Sequence, residues 1–501
     1  MPRIGLPKRK GCIVEAEGKG SLLRGVQNIH FFVGVALMIV IGLIPPIEPI
    51  TAVGMQVLGI FVGTLYLWST VDVLLGSIVS ISALGLSSYD AMGATVASTF
   101  GNGVVLQTLF ILIFVGAMVE EGISNHIGRW FLTRKITQGR PWLFLFTICI
   151  GCYLYAVFMG PLLPILLFWP VCFGIFEDVG YTKNDKFPKI MMIMIVVSCL
   201  AGFPVAPSKD NALATLTNFR NLVGDPTFIG DGVYFTIFFC IGLLFMLICL
   251  AVGKFVFRPD TEPFKKFDVT KLNADPLPPM TRRQKVLAAA FVLYALAMLV
   301  PSFFPTAPVL SFLYKNSIGL AMVFVSITSL LCIDGKPVLP LVASLKKRVD
   351  WGTVFLVAAA IEIGSVLTSE KTGIGAALSQ VLSPIFSGMD FIVFAIVMMI
   401  VLMVLTNVCN SLVIALITQP VILVFAQSTG MDVAPIVALG IYFVFSCAMF
   451  TPAASPFAAV MYSSHENWLT KGDIYKYAGA YILVEFALML LVGLPLTTLV
   501  L

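Results

Sequence analysis

GFPVAPSKDNA, residues 202–212, interrupts an apolar run that begins near position 190. Two prolines and a glycine free backbone hydrogen-bonding groups there, and four polar residues follow, Ser208, Lys209, Asp210 and Asn211. A second interruption, FTPAASPFAA at 450–459, breaks the run that begins near 433. Irregular backbone persists at membrane depth only where protein or a watery cavity surrounds it. Two breaks of this kind therefore predict a polar centre built inside a bundle of membrane helices.

Composition agrees that the surface faces lipid. Of 501 residues, 59% are hydrophobic and 11% charged, and the mean hydropathy is +0.99, whereas an average globular chain is about 25% charged. A helix crosses a bilayer core with about 20 apolar residues. Runs of that length begin near 28, 52, 73, 104, 190, 233, 286, 317, 351, 433 and 476. Two further stretches, 142–176 and 391–426, carry a break in the middle, FMGPLLP at 158–164 and TNVCNS at 406–411. These read as re-entrant hairpins. The expected fold is an all-α polytopic membrane protein with eleven transmembrane helices and two hairpins.

Basic residues favour the cytoplasmic side. With the N-terminus inside, the segments predicted to be cytoplasmic hold 27 of the 31 Lys and Arg. Of the other four, Arg220, Lys315 and Lys371 fall outside, and Lys209 lies within a span. Topology thus accounts for the net charge of +5 without a nucleic-acid partner. No cleavable signal peptide is expected, since six basic residues occupy the first 24 positions without a short apolar segment and cleavage site after them. The expected location is the plasma (inner) membrane, with the C-terminus outside.

The two halves echo one another. Pro170 and Pro420 close the two hairpin motifs FWPV and TQPV, 250 residues apart. Ser198-Cys199…Pro204 and Ser446-Cys447…Pro452 share a spacing at an offset of 248. Gly122-Ile123 and Gly373-Ile374 differ by 251. Equivalent spans enter from opposite sides, so the expected organisation is a first helix within 1–50, one repeat over 51–253, a cytoplasmic linker over 254–285 and an inverted repeat over 286–501. Inverted repeats place a substrate site at their interface, on the discontinuous helices.

Chemistry at the breaks narrows the cargo. A charge at the bilayer centre costs about 2.5–3.5 kcal/mol on insertion scales. One reading is that Lys209 supplies fixed positive charge to a small anionic solute while Ser208, Asn211 and the half-helix amides donate hydrogen bonds. The other is a structural Lys209–Asp210 ion pair. Thr451 and Ser455, in the second break, either face the site or bond their own backbone as helix kinks. At the second hairpin tip, Thr406, Asn407, Asn410 and Ser411 offer hydroxyls, amides and freed carbonyls to a small cation or a carboxylate, whereas Met159-Gly160-Pro161-Leu162 offers only backbone. Glu362 is a candidate to carry a proton or pair with Lys209, or faces a crevice with no specific role. The segment 120–140, with Ile123, Ile127, Trp130 and Phe131 on one face, is expected to lie flat at the cytoplasmic interface as an amphipathic helix.

Other functions lack their motifs. Nine of the ten cysteines lie in apolar runs, and the CxxC of Cys149 and Cys152 has no companion ligands. His126 and His465 are isolated. HExxH, GxSxG and a nucleotide-binding P-loop do not occur, so neither an enzyme nor a directly ATP-driven pump is expected. A channel would favour a continuous ring of polar residues over two hairpins. No cofactor is expected.

Trp68-Ser69-Thr70, STFGN at 98–102, EEGISNHIGRWFLTR at 120–134 and the hairpin-plus-break order in each half together resemble the divalent anion/sodium symporter family of the ion transporter superfamily. The resemblance runs from about 50 to 500. It implies a homodimeric scaffold, an elevator-type transport domain, and dicarboxylate, citrate or sulfate cargo driven by sodium. In that family the hairpin tips carry Ser-Asn-Thr, and the breaks favour Ser/Thr-Pro-Pro-Asn. Here the second tip reads Cys409-Asn410-Ser411, or Asn410-Ser411-Leu412 if aligned without a gap, the first reads Gly160-Pro161-Leu162, and the breaks read Ser208-Lys209-Asp210-Asn211 and Ser455-Pro456-Phe457-Ala458. The first half lacks side-chain cation ligands and has Lys209 beside their place. The expectation is that this ammonium replaces one sodium ion, leaving exchange, uniport or proton coupling through Glu362 as alternatives to sodium symport.

Overall fold

The computed structural model describes residues 16–123, 126, 137–267, 279–303, 307–347, 349, 351–386, 388–408, 411–452, 454–462 and 468–501. Helices α1 (Ala16–Gly42), α2 (Ala52–Thr70), α3 (Val73–Leu86), α4 (Met92–Phe100) and α5 (Gly103–Glu120) come first. They are followed by α6 (Pro141–Met159), α7 (Leu162–Val179), α8 (Lys186–Gly202), α9 (Asp210–Val223) and α10 (Asp231–Phe255). Next come α11 (Arg282–Phe303), α12 (Pro308–Lys315) and α13 (Ser317–Leu330), then a two-residue ladder pairing Cys332–Ile333 with Lys336–Pro337. Then follow α14 (Leu341–Lys347), α15 (Trp351–Thr368), α16 (Ile374–Phe386), α17 (Phe391–Thr406) and α18 (Ser411–Thr429). The chain ends with α19 (Ala434–Ser446), α20 (Pro456–Tyr462), α21 (Lys471–Leu488), a π-turn at Met489–Gly493 and α22 (Leu494–Val500).

Every one of the eleven apolar runs carries a helix, but many are not single rods. Among the described residues, four continuous stretches have the length and apolarity to cross a bilayer: Pro141–Met159, Asp231–Phe255, Ser411–Thr429 and Lys471–Val500. Two more are bent pairs, Met92–Phe100 with Val105–Glu120 at 48° and Leu341–Lys347 with Trp351–Leu367 at 75°. The other apolar helices are shorter, among them Val73–Leu86 and Ala434–Ser446. Hydropathy counts apolar residues and does not register where the backbone turns, so the sequence overstates continuity. The amphipathic helix expected over 120–140 falls largely outside the described residues.

Two helices form the centre. From Ile190 to Gly202 all of α8 is buried, and so is every residue of α19. A helix apolar on all sides belongs in the interior, and each of these two ends at one of the predicted breaks. They are joined directly: Tyr442 of α19 donates its hydroxyl to the Ala201 carbonyl of α8 at 2.8 Å, and its ring stacks on Phe238 of α10 at 4.8 Å. Gly242 of α10 makes room for this crossing, since a Cβ there would lie 2.7 Å from the Tyr442 hydroxyl and 2.8 Å from the Ala201 carbonyl oxygen. Overpacking of such a site costs about 1–3 kcal/mol. Gly242→Val is therefore expected to lower the thermal unfolding midpoint in detergent by several degrees; an unchanged midpoint would contradict this packing.

At the periphery, α1 and α2 approach through small residues. A Cβ at Gly59 or Gly63 would lie 2.5 Å from the Met38 carbonyl oxygen or 2.6 Å from that of Gly34, the close backbone contact that small residues permit between membrane helices. Between α10 and α11, Phe264 and Phe267 are buried and pack on Phe144 at 5.1 and 5.9 Å. The connection between α10 and α11 is thus anchored to the base of α6.

Candidate functional site

Helix α8 stops at Gly202 because Pro204 and Pro207 lack backbone donors to continue it. The chain runs without helix from Phe203 to Lys209, and α9 begins at Asp210 with Lys209 as its N-cap residue in extended conformation. Lys209 is 6% exposed. Its Nζ donates to the Ala156 carbonyl at 2.9 Å and lies 5.7 Å from the centre of the Phe203 ring. Ala156 sits in the last turn of α6, next to the turn at Gly160, whose φ of 103° and ψ of 156° only glycine adopts readily. The ammonium therefore rests on a carbonyl in the C-terminal turn of a helix, where the macrodipole favours a cation. Gln107 of α5 donates to the Ser208 carbonyl at 3.3 Å, and Asn211 is partly exposed in the first turn of α9.

Hydroxyls gather at the end of α17. Thr406, at the end of α17, contacts the Val444 carbonyl at 2.8 Å and the Ser411 hydroxyl at 2.9 Å. Ser411 in turn donates to the Ala454 carbonyl at 3.1 Å. Two hydroxyl hydrogens serve three oxygen–oxygen contacts, which leaves an electron-rich cluster. A helix-end carbonyl, a carbonyl of the break and two hydroxyls suit a small hard cation. The second break starts three residues earlier than its sequence suggests, since α19 ends at Ser446 and α20 begins at Pro456.

Other predicted residues turn toward backbone. Asn407 donates to the Met403 carbonyl and accepts from the Phe450 amide, both at 2.8 Å, and its own carbonyl accepts from the Thr451 hydroxyl at 2.5 Å. Ser455 donates to the Ala448 carbonyl at 2.8 Å and caps α20 by accepting from the Ala458 amide at 3.0 Å. Asn407, Thr451 and Ser455 thus clamp the hairpin tip to the break. Asn410 lies outside the described residues, and Asp210 is placed by its backbone at the head of α9.

The two breaks meet through aromatic rings, Phe203 against Phe457 at 5.4 Å and against Phe445 at 6.1 Å. Beside Lys209 is a cavity of about 40 Å³, lined by Ile111, Val157, Ala206, Ser208 and Tyr294. That volume holds a water or two and no carboxylic acid of several carbons. Next to it an apolar cavity of about 390 Å³ separates Leu154, Phe158 and Met159 of α6 from Met118 of α5 and Phe291 and Leu296 of α11.

The pairing of Lys209 with Glu362 is not formed. Glu362 is half-buried on α15 beside Ser98 of α4, and Lys209 turns to Ala156, where the helix-end carbonyl is already at hand. A third polar group was not read from the sequence. Asn218 of α9 donates to Gln419 of α18 at 2.6 Å, and Gln419 donates to the Thr215 carbonyl at 2.8 Å, all buried. The signal was present as polar residues 211, 215 and 218 at helical spacing, and as a glutamine inside an apolar arm. Gln419→Leu leaves the Asn218 amide without its acceptor, costing about 1–3 kcal/mol. Its unfolding midpoint is expected to fall, and Asn218→Leu added to it is expected to recover part of the loss. Strict additivity of the two changes would remove the contact from the account.

The sequence pattern of the citrate transporter family (CitMHS) matches residues 28–445. An uncharacterized transporter of Methanocaldococcus jannaschii is 21% identical over 379 residues, which cover 74% of this chain and 79% of that protein. The crystal structure of the YdaH transporter of Alcanivorax borkumensis matches with a TM-score of 0.56 and 12% identity, covering 95% of this chain and 98% of that one; at this identity the likeness concerns the fold. The fold is that of an all-α polytopic integral membrane protein. Where the sequence resembles the divalent anion/sodium symporters, the family matched is that of the citrate transporters, and with most of its length inside that pattern, the chain belongs to the citrate transporter family.

Proposed function

We propose that this transporter carries small organic anions of the di- and tricarboxylate class by elevator-type alternating access, with a resident ammonium in place of one coupling cation. The carrying observation is the seat of Lys209, buried against the Ala156 carbonyl in the C-terminal turn of α6. A fixed cation there neutralises part of the substrate charge in every conformation. The Thr406–Ser411 cluster remains for at most one sodium ion.

Inverted repeats over 51–253 and 286–501 are part of this reading. They are supported by the recurrence of each interruption at a near-constant offset. The bend near 101 recurs near 349, the turn at 160 near 408, and the break at 203–209 at 447–455. The apolar cavity between α6 and α11 supports a sliding surface, because lipid-like walls carry no hydrogen bonds to be broken as one side moves past the other. We place the protein in the plasma (inner) membrane as a homodimer, N-terminus cytoplasmic and C-terminus outside, following the charge bias and the family resemblance.

The test is a thermal-shift screen of purified protein against citrate, shorter dicarboxylates, sulfate and amino acids, with and without sodium. Stabilisation by a carboxylate, retained in choline medium, is expected. Stabilisation by none of the carboxylates, or only by amino acids, would overturn the substrate class.

A further inference from the structure

Helices α5, α6 and α11 enclose the apolar cavity of about 390 Å³ that lies next to the Lys209 pocket. On α11 its walls are Ala288, Phe291, Val292, Ala295 and Leu296, a spacing of three and four that makes one stripe. Val292 and Leu296 are 55% and 49% exposed, and Phe158 on the α6 wall is 36% exposed. Inside a bilayer those faces meet hydrocarbon, so the cavity opens sideways to lipid. Protein interiors hold few voids larger than a water molecule, and this one is far larger. A cavity of roughly 150 Å³ admits benzene, with its six carbons, so by proportion this one admits an alkyl chain of about 15 carbons.

The stripe runs back to the start of α11. Lys285 lies three residues before Ala288 and seven before Val292, and Arg282 lies three before Lys285. Both are exposed, and neither pairs with a carboxylate among the described residues. Their neighbours turn the other way: Arg283 pairs with Glu121, just beyond α5, and Gln284 donates to the Glu121 carbonyl at 2.6 Å. That contact fastens α11 to α5 one turn from Met118 of the cavity wall, and it leaves two cations on the stripe. Along the helix, Lys285 is about 5–17 Å from the levels of Ala288 to Leu296, against about 15 Å for half of the hydrocarbon core. A phosphate at Lys285 therefore places an acyl chain at the depth of the cavity. The charge bias of the sequence puts this end of α11 in the cytoplasmic leaflet, whose surface is anionic.

We propose that this cavity is a binding site for an anionic phospholipid of the cytoplasmic leaflet, with one acyl chain lodged between α6 and α11 and the phosphate held by Arg282 and Lys285. The planar guanidinium of Arg282 suits a phosphate diester, and Lys285 adds a second charge. Chain atoms supply the contacts that an empty void lacks, so the lipid holds α6 and α11 in this arrangement. Phe158, Phe291 and Ala295 also line the pocket beside Lys209, so the bound chain backs a wall of the carrier site. The proposal rests on the carrier reading only for the sidedness of the chain. Its test contains no citrate, so either can fail without the other.

The experiment titrates the full chain in detergent with phosphatidylglycerol, phosphatidylcholine of the same chains, and laurate, and reads the thermal unfolding midpoint. Phosphatidylglycerol is expected to raise the midpoint by several degrees and phosphatidylcholine by less than half as much. Arg282→Gln combined with Lys285→Gln is expected to level the two lipids, and both positions are exposed, so the fold is kept. Ala288→Phe, which puts a ring into the cavity, is expected to abolish the response to both. Equal stabilisation of wild type by the two phospholipids, or a preference that survives the double substitution, overturns the proposal. A response to laurate as large as that to phosphatidylglycerol assigns the cavity to free fatty acids and overturns it as well. Should Ala288→Phe fail to fold, native mass spectrometry decides. Phosphatidylglycerol adducts are expected on wild type and are expected to fall several-fold on the double variant, whereas equal adducts on both overturn the proposal.

Discussion

Lys209→Met is expected to abolish carboxylate binding and uptake while leaving a folded protein. Methionine fills nearly the same volume in a site that is 6% exposed, so packing is largely kept and the Ala156 carbonyl loses one donor. The solute loses the only lysine that the break brings to membrane depth. Truncating one partner of a buried, hydrogen-bonded charge pair costs about 2–5 kcal/mol, which is about 30-fold to several-thousand-fold in affinity. Citrate should then give no thermal shift at concentrations that stabilise wild type. Lys209→Arg is not expected to rescue, because the planar guanidinium is larger than the compact ammonium and does not fit one carbonyl at a helix end. Full stabilisation of Lys209→Met by citrate would remove Lys209 from the site.

The sequence shows where the backbone breaks more clearly than what the broken ends touch. Pro204, Pro207, Pro452 and Pro456 mark the two interruptions, since a missing N–H is a local property. Lys209 stands out for a similar reason, as a charge in an apolar run. Its partner does not, because the Ala156 carbonyl looks like every other carbonyl until folding brings α6 to α9. Asn407 and Thr451 show the converse: their polarity is legible, but not their orientation toward backbone at 2.5–2.8 Å. The Asn218–Gln419 contact joins residues 201 positions apart, beyond any local pattern.

The remaining large effect concerns cations. If the Lys209 ammonium stands where one cation would sit, sodium acts at the second hairpin alone. Uptake in sodium against choline medium should then vary shallowly, with a Hill slope no greater than one. Thr406→Val tests the residual site. It deletes the hydroxyl that bridges the Val444 carbonyl and Ser411, while valine preserves the shape of threonine. Loss of one ligand from a compact oxygen cluster, at about 1–3 kcal/mol, raises the sodium concentration for half-maximal uptake about five-fold to over a hundredfold. The choline baseline should be unchanged, because that fraction of transport draws its charge balance from Lys209. A wild-type Hill slope above one means two sodium ions bind and that the ammonium substitutes for neither. A baseline that falls together with the sodium-dependent part means the hydroxyl serves the solute itself, which would move Thr406 from cation coupling to substrate recognition.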